Sequence, residues 1–543
     1  MKKWKVLSSL RNITSEKSVI DELFNLRKIS DRKKYLEPRI EDIRLEGSGI
    51  DTKEVKKAVK RVNEAIQKGE KIIILGDYDV DGICASAILW ETIYSKYKNI
   101  FPYIPDRFTQ GYGISKKSID SIFEKYPDVK LIITVDNGIV AADSADYVAE
   151  KGVDLIITDH HLGGEVLPKA SAIVHTTDLC GAGVSWILAR ELNFISEDEI
   201  NKKLELACLA TIADLVPLTG LNRLVVKFGL NYLRNTKRVG LSELIQISGI
   251  DKKNIGTYQI GHMIGPRLNA SGRVGHAIES LRLICTNDKN YAQNAALLLE
   301  NTNKIRQKMV LDSMQHADLS MITDDNSTKI VAVYHESYSE GIVGLLASRL
   351  VEKNYKPSFA ISVKSEISKG SARSISGVNI VEMLRSVSTK LLEVGGHPMA
   401  AGFSVKTEKI EELIEALSNE SEKIPDHAFE REIKIDMEIP LSIVTESLFE
   451  KIQGLSPFGM GNPEPVFLAR NVKIISTNRI GKDSSHLKLI LDSGGKKIEA
   501  IGFGMGDLEV EKNDKGDVVF TIDVNIWRER KTLQLKIKDL KKI

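Results

Sequence analysis

The chain has little cysteine: Cys84, Cys180, Cys208 and Cys285 are the only four in 543 residues, and no two form a CxxC pair. That spacing supports neither a disulfide framework nor a zinc cluster, and it predicts buried thiols in a reducing compartment. Long apolar runs are missing as well. No stretch approaches the ~18 apolar residues of a membrane span, and the opening MKKWKVLSSLRNITSEK has no apolar core of the secretory kind. A soluble cytoplasmic protein with no membrane contact is expected. Net charge is almost absent, at +2. Contact with nucleic acid therefore has to come from local basic patches and not from a global field.

What is present is the material of a soluble globular protein, 42% apolar and 28% charged. The length exceeds what one core can fill and suggests about three domains. From Lys71 to about Asp214, nearly continuous Ile/Val/Leu runs (KIIIL, LIITV, DLIIT, SAIV) alternate with helical stretches. Strands of that kind belong to a parallel sheet covered on both faces. Residues 277–325 read as a helical connector, and 326–425 as a second, smaller α/β lobe. After GLSPFGMGNPEP come five or so short alternating strands, which suit a small barrel of OB type in 426–543. Residues 1–70 read as an N-terminal helical segment and 71–276 as the catalytic domain. The expected class is α/β: two α/β lobes joined by a long helical connector, plus a C-terminal β-barrel of OB type.

The stretch GDYDVDG (76–82) puts Asp77, Asp79 and Asp81 at the end of a strand that reads as buried. Like charges so close repel, which raises their pKa values unless a cation sits between them. Asp-x-Asp-x-Asp-Gly also opens a calcium-binding EF-hand loop. The twelfth position of that loop needs a bidentate Glu, however, and here it is Ile88; a strand, not a helix, precedes Asp77. Two further strand ends carry the same chemistry: LIITV runs into Asp136-Asn137-Gly138, and DLIIT into Asp159-His160-His161. Asp214 comes later, in the apolar run LACLATIADLVPL. Each residue alone has an ordinary use, as helix cap, turn residue or surface imidazole. Three successive strand ends bearing acid or histidine do not, and beyond the carboxyl ends of parallel strands is where such sheets bind ligands. Carboxylates with one or two imidazoles suit Mn²⁺ or Mg²⁺, and shared carboxylates suit two ions ~3.5–4 Å apart. Asp77 and Asp159 are also open to a place behind the ligands, orienting them.

In this order, GDYDVDG, VDNG, TDHH and ATIADLVPL resemble the DHH phosphoesterases, and among them most closely the RecJ family of single-strand-specific 5′→3′ exonucleases. The resemblance continues through PDRFTQGYGIS (105–115), LCGAGVSW (179–186), GPRLNASGRVGHA (265–277), KGSARSI (369–375), GGHPMAAGF (395–403) and PFGMGNPEPVF (457–467). It implies that Asp79, Asp81, Asp136, His160 and Asp214 ligate two Mn²⁺ or Mg²⁺ ions, with Asp77 a ligand or close behind one. Asp136, His160 and His161 become the catalytic group, His161 contacting the scissile phosphate and Asp159 supporting from behind. The smaller lobe becomes a DHHA1 domain that places His397 across the cleft. Arg107, Ser371 and Arg373 match a 5′-phosphate pocket, Tyr112 matches a base-stacking aromatic, and Arg267, Asn269 and Arg273 match further substrate contacts. The implied substrate is single-stranded DNA with a 5′ end, cut to nucleoside 5′-monophosphates in repair and recombination, with a single-strand-binding protein or a RecQ-type helicase as partner. Family relatives that cleave RNA or short oligonucleotides define the alternative. One segment departs from the family pattern: His335-Glu-Ser-Tyr338-Ser339 lacks the usual second histidine, and His335 is left out of the catalytic group. The basic tail around Trp527 reads either as a DNA-facing strand or as a solvated edge.

Overall fold

The computed structural model describes residues 2–10, 13–107, 109–323, 328–527 and 530–543, the side chains at 320–323, 526, 527 and 530 lying outside the description. Trp527 is therefore placed only by its backbone. The chain divides into two compact units, Ile40–Phe429 and Met1–Arg39 with Glu430–Ile543. Among the described residues no helix is long and apolar enough to cross a membrane.

The larger unit is built on a five-stranded parallel sheet. Its strands run, in spatial order, Ile100–Tyr103, Lys71–Gly76, Val129–Val135, Asp154–Asp159 and Ala172–His175. The apolar runs are continuous because both faces are covered. Ile72, Ile74, Ile133 and Ile156 join one core layer with the helices Thr52–Lys68 and Val80–Lys96. Ile73, Leu75, Ile132 and Ile157 join the other, against Ile119, Ile122 and Val148. The helix Thr52–Lys68 fits its place locally: Asp51 caps its start, Gly69 ends it in the left-handed conformation, and Val55, Ala58, Val62 and Ala65 form its buried stripe.

The helix Ile278–Cys285 is followed by a single helix, Lys289–Thr323, 35 residues and about 50 Å long. Beyond it lies a second sheet, in the order Glu393–His397, Ala400–Lys406, Ile367–Arg373, Ser358–Ser362 and Val331–His335; only its last pair is parallel. Here the altered histidine segment folds inward. Tyr338 is 1% exposed and its hydroxyl hydrogen-bonds with His316 Nδ1 at 2.8 Å, while His335 Nδ1 lies 2.7 Å from Ser337 Oγ.

In the smaller unit, Phe467–Ile480 pairs with both His486–Ser493 and Lys515–Trp527, closing a barrel whose other strands are Lys496–Gly502 and Arg530–Lys542. The expected helical segment 1–70 is split between the two units. Lys3–Val6 adds a strand beside Glu432–Ile435, and Val19, Leu23 and Phe24 sit in the core of the barrel. Residues from Ile40 onward belong with the parallel sheet. The division arises from which core each apolar stripe fills, a partner hundreds of residues away in the first case.

Candidate metal centre

Sheet register places the acids. Gly76 pairs with Val135 and Val135 with Thr158, so Asp77, Asp136 and Asp159 come next in one row at the carboxyl edge. The row straddles the point where strand order reverses: the chain leaves Lys71–Gly76 for the edge strand Ile100–Tyr103, then returns to Val129–Val135 on the other side. Open parallel sheets bind their ligands at such switch points.

The turns after the strands are tight, and they aim the carboxylates. Asp136 takes the left-handed conformation at φ +62°, an uncommon state that Asp tolerates better than most residues. Asn137 locks this turn, accepting from Ile114 N and donating to the carbonyls of Leu75 and Val135. Asp79 caps the helix Val80–Lys96, accepting from Asp81 N at 2.9 Å and Gly82 N at 3.1 Å. Asp81 accepts from Gly181 N at 2.7 Å and Ala182 N at 2.6 Å, at the start of the helix Gly181–Leu192. That approach requires glycine, because a Cβ at Gly181 would stand 2.6 Å from Asp136 Cβ. Gly181→Ala is therefore expected to displace Asp136 and weaken Mn²⁺ binding by about tenfold or more, read by isothermal titration calorimetry; unchanged affinity would remove this constraint from the site.

Three groups of ligand atoms, each with its members within 4.8 Å of one another, come together: Asp77, Asp79 and Asp136; Asp81, His160 and Asp214; Asp136, His160 and His161. His160 Nε2 stands 3.1 Å from Asp136 Oδ1, 3.5 Å from Asp81 Oδ2 and 3.8 Å from Asp214 Oδ2. Asp136 and His160 thus belong to two groups each, the arrangement of a shared centre. His161 is turned differently. Its Nδ1 meets Asp159 Oδ1 at 2.8 Å, and its Nε2 lies 3.4 Å from the Tyr112 hydroxyl, which donates to the Asp136 carbonyl at 3.1 Å. Asp159 also accepts from the backbone of Ile139, His160 and His161. Its oxygens are taken up in fixing the His-His turn.

The electrostatics of the cluster are those of a cation site. Burial, and then Asp79, hold Asp77 well above the usual carboxylate range; burial, and then Asp81 and Asp79, do the same to Asp136. Burial raises Asp81, and burial with Asp81 and Asp79 pushes Asp214, one-third exposed, up to about 8. Burial lowers the pKa of His160, so its imidazole is neutral and offers a lone pair. For His161 burial acts in the same direction, but the bond to Asp159 and the negative charges of Asp159, Asp214 and Asp81 together outweigh it and raise the imidazole to about 9. The buried Oδ1 atoms of Asp77 and Asp136 make no hydrogen bond. Unsatisfied carboxylate oxygens around a neutral imidazole fit hard divalent cations, and a coordinating ion would supply the missing partners.

The residues read as substrate contacts fall into two sets. Arg107 lies over the Tyr78 ring at 5.0 Å, and Tyr78 meets Tyr112 edge to face, so guanidinium and aromatics line up beside Asp77. Ser371 and Arg373 sit together on one strand, with Arg373 Nη1 donating to Ser371 Oγ at 2.8 Å; a Cβ at Gly344 would lie 3.0 Å from Arg373 Nη2. Arg273 donates to Gly341 O, and His397 is exposed at its strand end. Arg267 and Asn269 are instead engaged in the fold: Arg267 binds Glu300 and Met263 O, and Asn269 accepts from Val80 N beneath the aspartate loop. Sequence reading overlooked Tyr78 and the Gly181–Ala182 amides; the spaced glycines of GAG at 181–183 were the available signal for the second.

Fold and centre define a DHH-type metal-site protein, and the DHH family (N-terminal domain) model matches residues 71–215. DHHA1 domain and RecJ OB domain models match 326–423 and 435–539. The single-stranded-DNA-specific exonuclease RecJ of Bacillus subtilis is 37% identical over 90% of this chain, which spans 64% of that protein. The RecJ of Thermus thermophilus is 31% identical over 94% of this chain and 73% of its own length. The crystal structure of Thermus thermophilus RecJ in complex with Mn²⁺ covers the whole chain and 80% of its own, with a TM-score of 0.84 at 27% identity. The chain belongs to the RecJ family.

Proposed function

We propose that this chain is a metal-dependent exonuclease that hydrolyses single-stranded DNA from its 5′ end and releases nucleoside 5′-monophosphates, in DNA repair and recombination. The observation that carries the reading is the pair of unsatisfied buried carboxylates, Asp77 and Asp136, the second of them 3.1 Å from the neutral His160, in a RecJ-family fold. Asp77, Asp79 and Asp136 would hold one divalent ion, and Asp81, His160 and Asp214 the other, with Asp136 reaching both. When bound, two ions of Mn²⁺ or Mg²⁺ supply an activated water at neutral pH and charge compensation for in-line displacement.

The protein's own groups do the rest. His161 is held protonated by Asp159 with Nε2 turned outward, and donates to a non-bridging phosphoryl oxygen as its charge grows. Ser371 and Arg373 provide a hydroxyl and a forked cation for the terminal 5′-phosphate, with Arg107 as a second guanidinium. Tyr112 gives a sequence-blind stacking face. A reducing cytoplasm suits the four free cysteines, three of them buried.

The reading is tested with Mn²⁺ and strands labelled at either end, as DNA and as RNA, single and duplex. Early mononucleotide release from a 5′ label on single-stranded DNA is expected. Product from RNA alone would move the assignment to the oligoribonucleotide alternative, and release from the 3′ end would reverse the polarity. Arg373→Ala should lower kcat/KM for 5′-phosphorylated strands by about 10–100-fold, the scale of one lost charge-assisted hydrogen bond. Equal losses on phosphorylated and unphosphorylated ends would take Arg373 out of the phosphate pocket.

A further inference from the structure

The aspartates and the pair Ser371 and Arg373 stand on different sheets of the larger unit, the first beyond the parallel strands and the second on Ile367–Arg373. One helix, Gly265–Val274, touches the loop that carries the aspartates and also the segment that leads to Arg373. We infer that Gly272 and Gly341, the contact points on its two sides, are specificity-determining positions that hold the product to one nucleotide. The inference rests on the terminal-phosphate reading above and adds to it what measures the distance to the first bond cut.

On the side of the aspartates the helix meets GDYDVDG main chain to main chain. A Cβ at Gly272 would stand 2.6 Å from the Tyr78 carbonyl oxygen. One turn earlier, Asn269 Oδ1 accepts from Val80 N at 2.9 Å. Tyr78 and Val80 flank Asp79, so the helix grips the loop on both sides of a carboxylate of the metal centre. The helix itself is anchored: Leu268 and Ala270 are fully buried, and Ser271 Oγ lies 2.7 Å from Ser280 Oγ.

The other side repeats the device. A Cβ at Gly341 would collide with the Arg273 carbonyl oxygen, and Arg273 Nη1 donates to the Gly341 carbonyl at 3.2 Å. Three residues on, Gly344 lies in the first turn of the helix Val343–Asn354, where its Cβ would stand 3.0 Å from Arg373 Nη2 and 3.3 Å from Ser371 Oγ. Glu340 ties the same segment to that strand through Lys369, at 3.0 Å. Buried Tyr338 and Ile342 fix the segment in its own lobe.

The path from Asp79 to Arg373 thus runs through Tyr78, Gly272, Arg273, Gly341 and Gly344. Its two joints at the helix are glycine against a carbonyl oxygen. A side chain can rotate to absorb a misfit, but main chain in a packed interior cannot, and the contact transmits any displacement. A strand with its terminal phosphate on Arg373 and its scissile phosphate at the aspartates has a set gap to span, and only a whole number of nucleotides fits. One methyl at Gly341 pushes the phosphate-binding strand away from the aspartates and lengthens the gap.

The test uses the full chain with Mn²⁺ and a 5′-phosphorylated single strand of DNA labelled at its 5′ end, the products being separated by size. Wild type is expected to release labelled mononucleotide. Gly341→Ala should raise the share of labelled dinucleotide by about tenfold or more, since small displacements from a distant substitution cost the correct geometry heavily. Its Mn²⁺ affinity by titration calorimetry should stay within about twofold of wild type, because Gly341 touches no residue of the metal centre. A folded variant that is slower but keeps the wild-type product ratio overturns the ruler. If that variant does not fold, wild type given a strand whose first linkage is an uncleavable methylphosphonate decides. Stalling is expected, and release of a dinucleotide across the blocked bond overturns the ruler. A wild type that ignores the terminal phosphate, or releases nothing from any strand, overturns the underlying reading instead.

Discussion

Asp136→Asn is expected to lose nuclease activity by about 10³-fold or more and yet, with metal stripped at about pH 8, to melt above the parent protein. The activity loss should exceed the ~10²–10³ of a single missing stabilising donor, because Asp136 is common to two of the three ligand groups. The gain in melting temperature has a separate cause. Without a cation, Asp136 is a buried carboxylate crowded by Asp81, Asp79 and Asp77, with one oxygen lacking any hydrogen bond. Asparagine removes the charge, keeps the shape, and tolerates the left-handed backbone at φ +62° that alanine would resist. Calorimetric or fluorescence melting in chelator, beside the rate of mononucleotide release in Mn²⁺, gives both numbers. A variant that melts lower in chelator would show that Asp136 is satisfied by the protein itself and not held ready for an ion.

The second large effect is a reversal of the pH dependence of stability by metal. In the metal-free fold Asp77, Asp81 and Asp136 are raised and Asp214 titrates near 8. In the unfolded chain they titrate near 4. Between those limits the native state holds the protons, so each rise in pH favours unfolding. His161 acts in the same direction between its unfolded value and about 9, while the lowered His160 opposes it only around pH 6.5 and below. The strongly lowered Glu16 and Glu91 titrate near 2 and lie outside the window. In chelator the melting temperature should therefore fall from about pH 6 to pH 8.5. Mn²⁺ must displace those protons to bind, so its stabilisation should grow with pH and reach about 5–10 °C at a hundredfold excess over Kd. A melting temperature that climbs with pH in chelator would mean the carboxylates are ionised and compensated without metal.

Much of this centre was legible in the sequence because parallel strands announce themselves as unbroken Ile/Val/Leu runs, and the residues just past their carboxyl ends make the site. Asp77, Asp136 and Asp159 lie in one row for that reason alone. The edge strand Ile100–Tyr103 escaped notice because it is four residues long and contains Pro102, which only an edge accommodates. The amides that hold Asp81 escaped because they lie a hundred residues away and carry no side-chain signal. Arg267 and Asn269 sit in a motif as prominent as any other, and only geometry separates an arginine bound to Glu300 from one open to a ligand. Tyr338 explains itself in the same way: within the segment that departs from the family pattern, with Ser339 where the second histidine is expected, the tyrosine packs into the core and bonds His316.

The joining of Met1–Arg39 to Glu430–Ile543 has a consequence for biosynthesis. Residues 1–39 leave the ribosome ahead of the larger unit, but the barrel that covers Ile13, Val19, Leu23 and Phe24 is not translated until some 390 residues later. At about 5–20 residues per second the delay is roughly 20–80 s. Through that interval the nascent chain carries these apolar side chains uncovered while the unit bearing the aspartates can already fold behind them. Chaperone occupancy on translating ribosomes should peak over residues 13–24 and drop once the last barrel strands are out.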